Sequence, residues 1–160
     1  MKQVRYGFVG CGMMGQEHIR NLKLIDGCSI AAIFEPDENM RAQCAQLAPE
    51  AVFASSLDAL LQIEALDALV ITSPNFCHAD QLREIASMRT LPILCEKPLY
   101  TDTADEATIK QLIKIGFLVV ILAGFVIQDA QIKIYKRILL NHGLPKPFSK
   151  VLTQIQVQFI

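Results

Sequence analysis

Six short apolar runs alternate with amphipathic segments between Val4 and Ala123, and that order leaves few architectures open. Strands are predicted over 4–9, 29–34, 51–54, 68–72, 93–95 and 117–123. Helices fall between them at 15–24, 37–47, 56–61, 79–88 and 103–115. Ser56 is a ready N-cap, and Thr103 with Glu106 forms a capping box. The run 29–34 is almost continuously apolar, the pattern of a strand covered on both faces. Repeated β-α order calls for parallel strands joined by right-handed crossovers, so the expected fold class is α/β with a doubly wound sheet.

After Gly124 the pattern changes. Ala130, Ile134 and Ile138 recur at helical spacing, Asn141-His142-Gly143 is a stop, and Pro145 and Pro147 bar further helix. From Val151 to Phe159 apolar and polar residues alternate as in a strand with one wet face. The expected organisation is a first domain over 1–124 and the first helix and strand of an incomplete second domain over 125–160. A lone strand cannot satisfy its backbone or cover its apolar face, so pairing with another chain, most simply a second copy, is expected.

Hydrophobic residues are 52% of the 160, enough for a full core. Fifteen Lys and Arg against sixteen Asp and Glu leave a net charge of -1, which argues against nucleic acid or an anionic membrane as partner. The longest apolar stretch, 115–127, is shorter than the ~20 residues that span a bilayer as a helix. Five cysteines without metal-ligand spacing predict reduced thiols and a cytoplasmic protein. The first residues run straight into a strand pattern, and no signal peptide is expected.

Gly10-Cys11-Gly12-Met13-Met14-Gly15 is a GxGxxG that closes the first strand and opens the first helix. Gly10 permits a tight turn, Gly12 lets backbone approach a diphosphate, and Gly15 lets the helix pack on the sheet. The helix N-terminus then offers unpaired N–H groups to phosphate. Met13 and Met14 read as apolar contacts beside this turn. A glycine-rich turn without ligand is the alternative, and Glu35 weighs against it. It lies 20 residues beyond Gly15 at a strand end, where a carboxylate can accept from both ribose hydroxyls. Pro36 and Asp37 follow where an arginine would favour a 2′-phosphate, so NAD is expected over NADP.

Thr72-Ser73-Pro74-Asn75 and Cys95-Glu96-Lys97-Pro98 end the fourth and fifth strands, at the sheet edge where open α/β folds bind ligands. With His18 behind the glycine turn, the run TSPNFCH at 72–78 and CEKPL at 95–99, the sequence resembles the NAD(P)-binding Rossmann half of the GFO/IDH/MocA family of sugar and polyol oxidoreductases. The Glu-Lys-Pro element is the specific part. The resemblance implies that Gly10, Cys11, Gly12, Met13, Met14, Gly15 and Glu35 surround the pyrophosphate and adenosine ribose. Thr72, Ser73, Pro74 and Asn75 would line the path to the nicotinamide ribose, and Glu96, Lys97 and Pro98 would stand beside the nicotinamide. It also implies a cis peptide before Pro98 and a catalytic Lys97 that polarises the reacting oxygen or relays its proton. Enclosure beside an oxidised nicotinamide would lower the pKa of that lysine. His78 is expected at a helix start behind these contacts, and His18 as a packing residue.

Family members continue into a second domain that binds substrate, of which this chain matches only the beginning. The basic residues usual after the Gly-Phe pair are replaced by Val126-Ile127-Gln128. Two functions are therefore expected in competition: an NAD-dependent sugar or polyol oxidoreductase represented by its nucleotide domain, and a dinucleotide-binding module without turnover. The partners expected are a nicotinamide dinucleotide and a sugar or polyol.

Overall fold

The computed structural model describes residues 3–114 and 119–122. Six strands form one parallel sheet in the order β3-β2-β1-β4-β5-β6. They are β1 (Val4–Val9), β2 (Cys28–Phe34), β3 (Val52–Ala54), β4 (Ala68–Ile71), β5 (Ile93–Glu96) and β6 (Val119–Leu122). The helices between them are α1 (Met13–Leu22), α2 (Glu38–Leu47), α3 (Leu57–Leu61), α4 (His78–Met88) and α5 (Glu106–Lys114). The doubly wound α/β fold expected from the alternation is the fold observed. The helix and strand expected beyond Gly124, and the domain boundary there, lie outside the described residues.

Strand residues divide between two cores, which is why the strands read as nearly unbroken apolar runs. Val4, Tyr6 and Phe8 of β1 join Ala68, Val70 and Leu94 against Ile19 and Leu22 of α1 and Cys44 of α2. Val9, Leu69, Ile71, Ile93 and Cys95 face the other way, against Leu57, Leu60 and Leu61 of α3, Leu82 and Ile85 of α4 and Ile109 of α5. α1 and α2 thus cover one face, and α3, α4 and α5 the other.

Helix ends differ from the sequence reading by a turn or less. α1 starts at Met13, with Gly12 as its N-cap, and stops at Leu22, so Gly15 lies inside its first turn. Ser56 caps α3 as expected, its hydroxyl accepting from the Ala59 amide at 3.0 Å. The capping box at Thr103 and Glu106 is not formed. Asp102 accepts from the Ala104 amide at 2.9 Å, a 3₁₀ turn occupies Thr103–Asp105, and α5 begins only at Glu106. Aspartate one position upstream is the better charged acceptor for first-turn amides. A second 3₁₀ turn, Asn75–Cys77, brings the start of α4 forward to His78.

β1 leads to β2 and β3 on one side, whereas β4 lies on its other side. The connections therefore diverge at the carboxyl ends of β1 and β4. Such a switch point opens a crevice at the sheet edge, and the site is built there.

Candidate active site at the carboxyl edge of the sheet

The turn after β1 is held from both neighbouring strands. The Gly10 amide donates to the Phe34 carbonyl at 2.9 Å, and the Thr72 hydroxyl donates to the Gly10 carbonyl at 2.8 Å. Gly10 has φ +89°, and a Cβ there would stand 2.5 Å from the Ser73 nitrogen. A Cβ on Gly15 would meet Thr72 Oγ1 at 2.8 Å. Both glycines are thus demanded by the chain's own packing. Gly12 is different, because a Cβ there meets nothing within 4 Å. Its open face borders the crevice, and no side chain caps α1, so its first-turn amides are available to an anion.

Glu35, one residue past β2, is buried and fixed by backbone. Its Oε2 accepts from the Cys11 amide at 2.6 Å and its Oε1 from the Asp37 amide at 2.9 Å. Each carboxylate oxygen has two lone pairs, so each keeps acceptor capacity for a further donor. An uncapped helix start, an open glycine face and a pre-positioned carboxylate fit the diphosphate and diol of a dinucleotide. A 2′-phosphate there would meet a buried negative charge.

Beyond β4, Ser73 donates its hydroxyl to Gln81 Oε1 at 2.5 Å, while Pro74 and Asn75 are exposed. Met13 and Phe76 are 76% and 73% exposed, two large apolar side chains near the rim of the crevice. Beyond β5, Glu96 is buried, Lys97 and Pro98 are exposed, and the Lys97–Pro98 peptide is cis. The Cys95 thiol is pushed up by burial and then by the Glu96 charge, which keeps it protonated and poor as a nucleophile.

Three contacts lie beyond the sequence reading. His18 is not simply a packing residue, since its Nε2 lies 2.9 Å from Glu96 Oε1. His78 starts α4 as expected, and its ring also bridges two backbone carbonyls, those of Pro98 and Ser73, at 2.7 and 2.9 Å. Cys11 and Cys44, 33 residues apart in sequence, are brought side by side with Cα atoms 6.5 Å apart, within reach of a disulfide, a proximity that the sequence reading did not contain. Widely spaced cysteines carry no pairing information until the fold brings the glycine turn against α2. Among the described residues no cluster of His, Cys, Asp and Glu is arranged to hold a metal ion, and no helix is long and apolar enough to cross a membrane.

Residues 4–117 match the family described as "Oxidoreductase family, NAD-binding Rossmann fold", GFO/IDH/MocA. The chain belongs to this family. Within it, the chain is 37% identical over 124 residues to an inositol 2-dehydrogenase of Leifsonia xyli subsp. xyli, covering 72% of this chain and 36% of that protein. An inositol 2-dehydrogenase of Corynebacterium glutamicum (strain R) is 36% identical over 126 residues, covering 73% and 37%. The fold also resembles that of myo-inositol dehydrogenase from Lactobacillus casei in complex with NAD(H) and myo-inositol. There the TM-score is 0.69 and the identity 22%, with 74% of this chain and 36% of that chain covered. The WlbA dehydrogenase from Bordetella pertussis, in complex with NADH and UDP-GlcNAcA, gives a TM-score of 0.66 at 26% identity, covering 74% and 35%. The chain spans about a third of the length of these relatives. It carries the NAD-binding Rossmann fold of the GFO/IDH/MocA oxidoreductases.

Proposed function

We propose that this chain supplies the dinucleotide half of an NAD-dependent dehydrogenase acting on a polyol. The observation that carries the reading is the Glu35 carboxylate, held by two backbone amides beside the open face of Gly12. The first-turn amides of α1 bind the diphosphate, Glu35 accepts from the adenosine ribose hydroxyls, and Met13 covers the diphosphate edge. Thr72, Ser73, Pro74 and Asn75 line the nicotinamide ribose path. NAD, when bound, supplies a hydride acceptor at its nicotinamide ring. Glu96 and Pro98 flank that ring, and Lys97, exposed at the end of β5, reaches a substrate oxygen to polarise it or to hold and pass its proton. The polyol is argued from the inositol 2-dehydrogenase relatives. A cytoplasmic location follows from dependence on the NAD pool, and association with a second copy would run through the segment beyond residue 124.

Titration with NADH and NADPH, followed by incubation with NAD and a polyol panel that includes inositol, tests the proposal. Saturable NADH binding, weaker NADPH binding and formation of NADH from a polyol are expected. NADH binding without turnover of any polyol would leave a dinucleotide-binding module in place of the dehydrogenase. No binding of either cofactor would defeat both.

A further inference from the structure

Both histidines among the described residues are fully buried, and both reach the same three-residue segment. His18 of α1 contacts the Glu96 carboxylate, Nε2 to Oε1, at 2.9 Å. His78 of α4 places Nδ1 2.7 Å from the Pro98 carbonyl and Nε2 2.9 Å from the Ser73 carbonyl. A carbonyl oxygen only accepts, so each contact is a hydrogen bond when that ring nitrogen carries its proton. One tautomer ties Pro98, the other ties Ser73, and the doubly protonated ring ties both.

The two helices lie on opposite faces of the sheet. The end of β5 is therefore gripped from both sides, by side chain at Glu96 and by backbone at Pro98. Between them stands Lys97. It is the first residue beyond the β5–β6 pairing, which ends at Glu96 opposite Leu122, and its side chain is exposed. The strand ladder no longer sets its direction.

We infer that His18 and His78 form a two-sided brace that fixes residues 96–98 and so aims Lys97; they are positioning residues that act through it. The inference rests on the proposed role of Lys97. Neither histidine touches the reacting atoms, and neither role follows from local sequence, since the partners are 78 and 20 residues away.

Backbone ¹⁵N relaxation of the full chain tests the brace without ligand. Order parameters near about 0.85 are expected at Glu96, Lys97 and Leu99 in the wild type, falling below about 0.6 in His18→Ala and His78→Ala. Cys11–Gly15 should stay rigid, and His18→Gln, which can still donate to Glu96, should restore most of the order. Should either alanine variant fail to fold, His18→Leu and His78→Leu, which fill the buried site but cannot donate, take its place. Slow-exchanging ring N–H signals in the wild type then report the same bonds. With a turned-over polyol, both variants should lose at least about tenfold in kcat while KM for NAD moves less than about twofold. Unchanged order at Lys97 in both variants, rapidly exchanging ring protons, or parallel losses in kcat and NAD affinity would overturn the brace. NADH titration of the same samples separates the two ideas. A rigid braced segment in a protein that binds no dinucleotide sinks the functional reading alone.

Discussion

The Glu35 carboxylate lies 2.6 Å from the Cys11 amide, so the residue at the end of β2 is tied directly to the turn at the end of β1. One anion thereby organises the glycine turn and remains available to a diol. Glu35→Ala removes both effects for NAD, whereas for NADP it also removes a charge that opposes the 2′-phosphate. The expected outcome by calorimetry is about a tenfold weaker NAD complex and less than about a threefold loss for NADP. Equal losses would contradict the ribose assignment.

Gly10 and Gly12 are two residues apart and should respond to alanine in opposite ways. Gly10→Ala forces a Cβ to 2.5 Å from the Ser73 nitrogen at a φ of +89°, and a loss of at least ~2 kcal/mol in urea unfolding is expected. Gly12→Ala meets open space, so stability should change by less than ~1 kcal/mol. Dinucleotide affinity should nevertheless fall at least about tenfold, because the new methyl group occupies the approach to the diphosphate. A Gly12→Ala protein that binds NADH normally would show that nothing approaches that face.

What was legible in the residues follows from range. β4 could be read because Leu69 and Ile71 meet one helical layer while Ala68 and Val70 meet the other, leaving no polar position in the strand. Gly10 and Gly15 could be read because their demands are local to a strand-helix turn, and Glu35 because the next strand ends within its reach. The start of α5 was misread by one acceptor: Thr103 and Asp102 are both competent caps, and only the backbone decides between them. The tie from His18 to Glu96 was not readable. It depends on where β5 lies relative to α1, two strands beyond the first crossover, and no spacing within either segment encodes that.

Cys11 and Cys44 lie within reach of a disulfide, and oxidation would close a long loop, with a sequence separation of 33. Cross-linking a loop of that size removes unfolded-chain entropy worth roughly 3–4 kcal/mol. After mild oxidation, thiol titration in denaturant should count three reactive cysteines, Cys28, Cys77 and Cys95, and two more after reduction. Reduction, or Cys44→Ser, should lower the thermal midpoint of unfolding. Five reactive thiols after oxidation would show that the two sulfur atoms pack without bonding.

Alkaline conditions should weaken the fold, and the direction follows from three groups whose charged forms are disfavoured by burial. The Cys28 thiol is pushed up from 9.0 to about 11, the Cys95 thiol higher by burial and by Glu96, and the Tyr6 phenol upward by burial first. In the unfolded chain the thiols release their protons near 9.0, before the native protein does. The unfolded state then binds fewer protons, so stability falls as pH rises. The contribution of Cys28 is complete below pH 9.0 and is lost progressively as pH climbs through about 11. Urea midpoints should therefore decline across that interval with unchanged slope, and Cys28→Ala should flatten part of the decline. A midpoint that holds steady or rises would mean these groups ionise as readily in the native protein as in the unfolded chain.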